Sequence, residues 1–221
     1  MRRTRVKICG MMRAEDARVA ALAGADAVGM IFHPPSKRCI DLDRAKEIVG
    51  VVGPFVTPVG VFFDAATERI VETARAVGLR VVQLHGRERA EQVRGLAAAG
   101  LSVLKAVRVD GTFEGELEYW KSQGEALRTI VGILLETGET KEAGGTGVEN
   151  DFARIREVQQ RGLFDGLPPV VVAGGLRPAN VGEVVRVLRP WAVDVSSGVE
   201  SAVGVKSESL VRGFIEAAAV G

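Results

Sequence analysis

The feature that most constrains the fold is the alternation of short apolar, β-branched runs with longer segments of helical periodicity along the whole 221-residue chain. Eight runs predict strands, near residues 5–9, 26–32, 55–62, 80–84, 102–107, 130–135, 169–173 and 191–196. Helices are predicted near 14–23, 42–50, 66–76, 88–98, 115–124, 151–160, 178–188 and 207–219. Consecutive strand–helix units require parallel strands and right-handed crossovers, and eight such units close into a barrel. The pattern therefore predicts an α/β protein with one domain over residues 1–221, a single (β/α)8 TIM barrel, rather than an open doubly wound sheet.

Composition agrees with this fold and excludes several classes of function. Aromatic residues are 5% of a chain that is 47% hydrophobic, as expected for an aliphatic core of parallel strands buried on both faces. The 29 Lys and Arg residues nearly balance the 28 Asp and Glu residues, and no basic block indicates nucleic-acid binding. We expect a small-molecule ligand and no nucleic-acid partner.

Cysteine content and apolar patterning predict the cellular location. Two cysteines, Cys9 and Cys39, are too few for a disulfide framework and favour a reducing compartment. The amino terminus has no apolar segment of the length that a signal peptide needs, and no run approaches the roughly 18 apolar residues of a membrane helix. The sequence therefore predicts a soluble, cytoplasmic protein without a membrane partner.

Polar residues and glycines follow the predicted strands, where barrel enzymes carry their reacting groups. Gly174 and Gly175 follow the seventh strand, and Ser197 and Gly198 follow the eighth. Such turns let backbone N–H groups approach an anion, although tight βα turns alone would also use glycine. Two glycine-rich turns on adjacent strands favour a phosphate site. A long segment over 137–150, which contains Gly144 and Gly145, is predicted to be an irregular loop that closes over a ligand or is simply flexible.

Cys9 ends the first strand, and Lys7 lies two residues before it, so both side chains point to the same side of the strand. A nearby cation would lower the thiol pKa and make Cys9 a usable base or nucleophile. A buried core cysteine is the alternative, and these residues alone favour it. Cys39 is predicted to be a packing residue.

Four further residues at strand ends are candidates. Arg38 could clamp a carboxylate in bidentate fashion or be a solvated charge. His85 could orient a ligand or donate to a backbone carbonyl, and Glu136 is either paired or functional. Asp194 is a candidate acceptor for loop N–H groups.

Several strings, in this order and at barrel spacing, resemble the phosphoribosylanthranilate isomerase family over nearly the whole chain. They are Lys7-Ile8-Cys9-Gly10, Ser36-Lys37-Arg38, Gln83-Leu84-His85-Gly86, Leu134-Leu135-Glu136, Gly144-Gly145-Thr146-Gly147, Ala173-Gly174-Gly175-Leu176 and Asp194-Val195-Ser196-Ser197-Gly198-Val199-Glu200.

The resemblance implies an Amadori rearrangement of a phosphosugar, a ribosylamine that becomes an amino-ketose without a metal or redox cofactor. It implies that Cys9 is the general base and Arg38 the partner of the anthranilate carboxylate. It also implies that the glycine turns, with Ser196 and Ser197, bind the phosphate, and that Lys7, His85, Asp194, Gly144 and Gly145 belong to the substrate site. A monomer and a homodimer are both compatible with these motifs.

One residue departs from the family pattern, because the general acid expected after the two leucines is an aspartate and here it is Glu136. Glutamate has nearly the same reference pKa but carries its carboxyl one methylene further out. We expect Glu136 to be the acid, with Glu139 or Glu142 as substitutes. The alternatives are a non-catalytic phosphosugar-binding barrel and a related ribose-phosphate isomerase or epimerase with another substrate.

Overall fold

The computed structural model describes residues 3–138 and 147–220, and its central feature is a closed barrel of eight parallel strands in the order β1 to β8. The strands are β1 (Arg5–Ile8), β2 (Ala27–Ile31), β3 (Thr57–Phe62), β4 (Val81–Leu84), β5 (Ser102–Val109), β6 (Ile130–Thr137), β7 (Val170–Ala173) and β8 (Ala192–Val195). The helices are α1 (Ala14–Ala23), α2 (Leu42–Val51), α3 (Thr67–Val77), α4 (Ala90–Ala98), α5 (Phe113–Ser122), α6 (Glu125–Thr129), α7 (Gly147–Gln160), α8 (Pro178–Leu188) and α9 (Glu208–Val220). The predicted (β/α)8 barrel is confirmed.

Local sequence signals set several helix ends. Gly24 and Gly78 end α1 and α3 in the left-handed conformation, with φ of 98° and 83°, which a residue with a Cβ adopts at a cost. Asp41 begins α2 by accepting a hydrogen bond from the backbone N–H of Arg44 at 2.8 Å. Proline at position 178 opens α8, where its missing N–H is harmless.

The structure adds elements that were not predicted after β5 and after β8. The helix predicted at 115–124 begins at Phe113, and the short helix α6 follows it. A 3-10 helix, Ser197–Val199, and an antiparallel pair, β9 (Glu200–Ala202) and β10 (Val205–Lys206), follow β8. Such short elements contain too few residues for a periodic pattern to reveal them.

The predicted loop over 137–150 is wrong at both ends, because β6 extends through Thr137 and α7 begins at Gly147. Gly144, Gly145, Glu139 and Glu142 lie outside the described residues. In the part of the chain that the structure describes, no helix is both long and apolar enough to cross a membrane.

The core lies mainly between the barrel and the helices, with a smaller cluster inside the barrel that includes Leu104, Leu134 and Val171. Polar side chains occupy the next layer toward the carboxyl ends of the strands. The register pairs Lys7 with Asp194 across β1 and β8, and pairs Glu136 with Arg108 across β6 and β5. Apolar packing therefore fills the interior below a polar layer at the mouth.

Candidate active site

A cavity of about 530 Å³ opens at the carboxyl ends of the strands. Its lining includes ten of the residues predicted for the site: Cys9, Arg38, His85, Glu136, Gly174, Gly175, Asp194, Ser196, Ser197 and Gly198. Lys7 lies beside this cavity without lining it, and Gly144 and Gly145 fall in the segment that is not described. The strand ends therefore bring the candidates from six strands to one place.

Lys7, Asp194 and Cys9 form a buried polar group at one side of the cavity. The Lys7 ammonium donates to the Asp194 carboxylate at 2.8 Å, and both side chains are less than a tenth exposed. Burial lowers the pKa of Lys7, but Asp194 and Cys9 outweigh it and raise that pKa to about 12. Lys7 is therefore a cation throughout the physiological range, and the partner of Asp194 is this ammonium rather than the loop N–H groups that we predicted.

Gly29 on β2 makes room for this group. A Cβ at Gly29 would lie 2.6 Å from the Cys9 sulfur and 3.2 Å from the Lys7 nitrogen. The Cys9 and Lys7 side chains therefore both occupy the space beside Gly29 that a larger residue would fill. Burial raises the pKa of the Cys9 thiol, and Lys7 offsets that rise without reversing it. Lys7 therefore acts on the thiol in the predicted direction, but the net pKa of Cys9 lies above its ordinary value, because desolvation of the thiolate is the larger effect.

Glu136, on β6, is hydrogen-bonded to His85, which directly follows β4. His85 Nε2 lies 2.7 Å from Glu136 Oε2, and the amide nitrogen of Gln83 lies 2.7 Å from His85 Nδ1. Burial raises the Glu136 pKa, but the His85 hydrogen bond and the charge of Arg108 outweigh it and lower that pKa. The partner of His85 is thus a carboxylate, not the backbone carbonyl that was one of its two predicted alternatives.

Arg38 makes the bidentate contact that its type predicts, but with a residue of the same chain. Its Nε and Nη2 donate to the two oxygens of Glu200 at 2.8 and 2.7 Å, and Lys206 also donates to Glu200 at 2.8 Å. Burial raises the Glu200 pKa, but the two cations outweigh it and lower that pKa. The guanidinium is therefore fixed at the cavity wall by a carboxylate that is itself fixed by a buried lysine.

The turns after β7 and β8 form a cradle at the cavity mouth. Gly174 has a φ of 90°, and a Cβ there would overlap the backbone of Thr137. A Cβ on Gly198 would overlap the carbonyl oxygen of Leu176. The buried Ser196 hydroxyl has no hydrogen-bond partner among the described residues. Backbone turns that exclude side chains, next to an unpartnered hydroxyl, are suited to an anion such as a phosphate.

Several residues that were not predicted for the site lie in or against the cavity. Arg108 and Phe63 line it, and the Phe63 ring centroid lies 4.7 Å from that of His33 and 4.7 Å from that of His85. Glu200 and Lys206 hold Arg38. The position of Arg108 at a strand end was a usable signal, whereas nothing local in the sequence marks Lys206.

The arrangement can perform acid–base chemistry on an anionic ligand. A thiol beside an ammonium and a carboxyl group on a histidine line the same cavity, next to an anion cradle. No group of three or more His, Cys, Asp or Glu side chains suited to a metal ion occurs within the described ranges 3–138 and 147–220.

Comparisons with known proteins give a consistent result. Residues 6–217 match the family model of N-(5'phosphoribosyl)anthranilate (PRA) isomerase. A relative from Myxococcus xanthus, an N-(5'-phosphoribosyl)anthranilate isomerase, is 43% identical over 219 residues, 97% of this chain and 95% of its own. The crystal structure of the phosphoribosyl anthranilate isomerase from Thermotoga maritima matches with a TM-score of 0.82 and 40% identity, covering 97% of this chain and 98% of that one.

Two further crystal structures bear on ligand and assembly. One is a phosphoribosyl anthranilate isomerase in complex with reduced 1-(o-carboxyphenylamino)-1-deoxyribulose 5-phosphate, with a TM-score of 0.80, 38% identity and coverage of 97% and 98%. The other describes monomers generated from the dimeric T. maritima protein, with a TM-score of 0.79, 38% identity and the same coverage.

Proposed function

The chain belongs to the N-(5'-phosphoribosyl)anthranilate isomerase family, and from that premise we propose how its own residues carry out the reaction. It is an isomerase of tryptophan biosynthesis that converts an aldose-derived ribosylamine into an amino-ketose. The reaction needs an acid for the ring oxygen, a base for the C2′ proton, and anchors for a phosphate and a carboxylate.

Glu136 is the general acid. It donates its proton to the furanose oxygen while the C1′–O bond breaks and the anthranilate nitrogen supplies the electron pair of the new C=N bond. Although burial raises the Glu136 pKa, His85 and Arg108 outweigh burial, and this pKa lies below its ordinary value. A bound substrate brings two anionic groups into the same cavity, and like charge raises a carboxyl pKa, so binding favours the protonated form that the reaction needs.

Cys9 is the general base. Its thiolate takes the C2′ proton, the C–H electron pair becomes the C1′=C2′ bond, and the iminium nitrogen is neutralised. The resulting enolamine tautomerises to the ketose. Lys7 stabilises the thiolate as it forms, and Asp194 keeps that ammonium charged and in place, with its Oδ1 2.8 Å from Nζ.

The two anionic groups of the substrate bind to separate groups at the cavity mouth. The turns at Gly174, Gly175 and Gly198, with the hydroxyls of Ser196 and Ser197, receive the phosphate. Arg38 receives the anthranilate carboxylate, and its contact with Glu200 sets the plane of the guanidinium before the substrate arrives. Fixing the side chain in advance reduces the entropy that binding must otherwise remove. Gly144 and Gly145 are further proposed contacts.

One observation carries the assignment: Glu136 lines the cavity that also contains Cys9 and the anion cradle, although the family's usual residue at that position is shorter. The test is the loss of substrate fluorescence with freshly prepared phosphoribosylanthranilate. Removing a general acid or base costs about 10²–10⁴ in rate, so Glu136→Gln and Cys9→Ala should each lower kcat by that amount. Full turnover in Cys9→Ala would overturn the mechanism, and a wild type that binds a product analogue without turnover would favour a non-catalytic barrel.

We also propose that residues 1–221 act as one catalytic domain in the cytoplasm, as a monomer or homodimer with no nucleic-acid partner. The dimeric state of the T. maritima protein supports the second of these assemblies. Light scattering on the eluting protein separates them, since a dimer has twice the 23.5 kDa mass of the chain.

A further inference from the structure

Gln83 lies at the far end of a hydrogen-bonded line that leads to Glu136. Its side chain is fully buried inside the barrel on β4, and its amide nitrogen lies 2.7 Å from His85 Nδ1. The other ring nitrogen of His85 lies 2.7 Å from Glu136 Oε2. Gln83 does not line the cavity, so any effect on the substrate passes through His85.

The direction of these hydrogen bonds follows from the chemistry of the groups. An amide nitrogen can only donate, so His85 Nδ1 accepts and carries no proton. A neutral imidazole then carries its proton on Nε2, which donates to the Glu136 carboxylate. Phe63 stacks on the His85 ring at 4.7 Å with an interplanar angle of 16°, which restricts the ring plane. Ring orientation and tautomer are thus set by two residues that do not react.

The amide of Gln83 carries a cost that an apolar side chain would avoid. Its buried oxygen Oε1 has no hydrogen-bond partner among the described residues. A buried acceptor without a partner is destabilising, and an apolar residue of similar size, such as methionine, would remove that penalty. What an apolar residue could not supply is the donor to His85.

Glu136 needs such a restraint more than a shorter acid would. Its extra methylene adds a rotatable bond, and its side chain is one-third exposed at the cavity mouth. A misplacement of about 1 Å in a reacting group can cost on the order of 100-fold in rate. The hydrogen bond from His85 fixes the carboxyl at its far end and leaves its other oxygen for the substrate.

We propose that Gln83 is a positioning residue for the isomerisation: by donating to Nδ1 it selects the Nε2–H tautomer of His85, which holds the Glu136 carboxyl toward the substrate. This inference rests on the proposed role of Glu136 as the acid. Gln83 itself contacts neither the substrate nor the reacting atoms.

The first measurement is the tautomer of His85 by nitrogen-15 NMR of the uniformly labelled protein. The chain has two histidines, so His33→Asn assigns the remaining signal. We expect wild-type His85 to show a protonated Nε2 and an unprotonated Nδ1. In Gln83→Glu, an isosteric change from donor to acceptor, Nδ1 should become protonated. An Nδ1–H tautomer in the wild type would overturn the proposal.

The second measurement separates positioning from folding through kcat and KM. Gln83→Met and Gln83→Glu should lower kcat about 10- to 100-fold with KM changed less than about threefold. Gln123→Glu makes the same chemical change at the end of α5, away from the cavity, and should leave both constants unchanged. In a His85→Asn background, Gln83→Met should have no further effect on kcat, because its effect acts through that ring.

The outcomes distinguish this inference from the proposed function. Wild-type kcat in both Gln83 variants, together with loss of turnover in Glu136→Gln, would overturn the positioning role and keep the acid. Full turnover in Glu136→Gln would overturn the acid and with it the kinetic part of the inference. The tautomer measurement would still show whether Gln83 controls His85.

Discussion

The buried Lys7–Asp194 pair offers the sharpest test of how the structure surrounds the Cys9 thiol. Lys7→Met keeps the length of the side chain and removes its charge, which leaves the Asp194 carboxylate buried without its ammonium. Removing one partner of a buried ion pair costs about 3–5 kcal/mol. Since small domains are stable by about 5–15 kcal/mol, the variant should lose a large share of its free energy of unfolding.

The pKa of Lys7 gives an independent magnitude. Its rise from 10.5 to about 12 corresponds to about 2 kcal/mol of preference for the charged form in the folded protein. Because the folded pKa lies above the unfolded one, this stabilisation is fully present below pH 10.5 and is lost as the pH rises through about 12. Wild type should therefore lose stability between these values, and Lys7→Met should lack that loss.

The assay is urea unfolding followed by circular dichroism for the wild type, Lys7→Met, Asp194→Asn and the double variant. The double variant should be more stable than the sum of the single losses predicts, because it contains no uncompensated buried charge. A loss below about 1 kcal/mol in Lys7→Met at pH 7, or strict additivity, would refute the reasoning.

The same variant separates stability from chemistry. Lys7 lowers the Cys9 pKa against the effect of burial, so the thiol pKa should rise further in Lys7→Met. Thiolate absorbance during a pH titration measures it, in a Cys39→Ser background so that one cysteine remains. Because Asp194 itself raises the Cys9 pKa by less than Lys7 lowers it, the double variant with Asp194→Asn should regain stability but only part of the thiolate. An unchanged thiol pKa would show that Lys7 has no electrostatic role at Cys9.

Three other changes have defined outcomes. Gly198→Ala places a Cβ against the Leu176 carbonyl oxygen and should lower the free energy of unfolding by about 1–3 kcal/mol in thermal unfolding. It should also weaken the inhibition of the enzyme by inorganic phosphate that competes with the substrate. Arg38→Lys loses the bidentate fork and should raise KM about tenfold with less effect on kcat in steady-state assays. The reacting form has Cys9 ionised and Glu136 protonated, and it carries as many protons as the form with a Cys9 thiol and a Glu136 carboxylate. The ratio of these two forms therefore does not change with pH. Apart from the second ionisation of the substrate phosphate at about pH 6, a pH series should therefore show kcat/KM flat between the Glu136 pKa, which is lowered, and the Cys9 pKa, which is raised.

The barrel was predictable because the sequence pattern that produces it is local and is repeated eight times. Eight apolar runs and the helical periodicity between them are properties of short windows, and parallel strands buried on both faces need no distant information to be recognised. The pair β9–β10 was missed for the opposite reason, since its strands have three and two residues. Strand ends then indicated where polar residues gather, which is why most predicted site residues line the cavity.

The hydrogen-bond and ion-pair partners of the site residues were harder to predict than the positions of those residues in the fold. Arg38 was identified as a bidentate cation, but Glu200 is 162 residues away, and nothing in either local sequence pairs them. The net effect on Cys9 also depends on burial, which the spacing of Lys7 and Cys9 does not report. Sequence spacing gives the sign of a neighbouring charge, whereas the three-dimensional environment decides whether that charge or desolvation is larger.

Glu136 shows how the two kinds of information combine. From the sequence, a glutamate in place of the expected aspartate displaces the carboxyl by about 1.5 Å, one carbon–carbon bond. In the structure the carboxyl lies 2.7 Å from His85, whose ring is restrained by Gln83 and Phe63. The position of this carboxyl, the proposed acid, is then set by its hydrogen bond to His85, and the length of the Glu136 side chain matters less than the place of that partner. A substitution of this kind is compatible with activity where the surrounding side chains define the point that the carboxyl must reach.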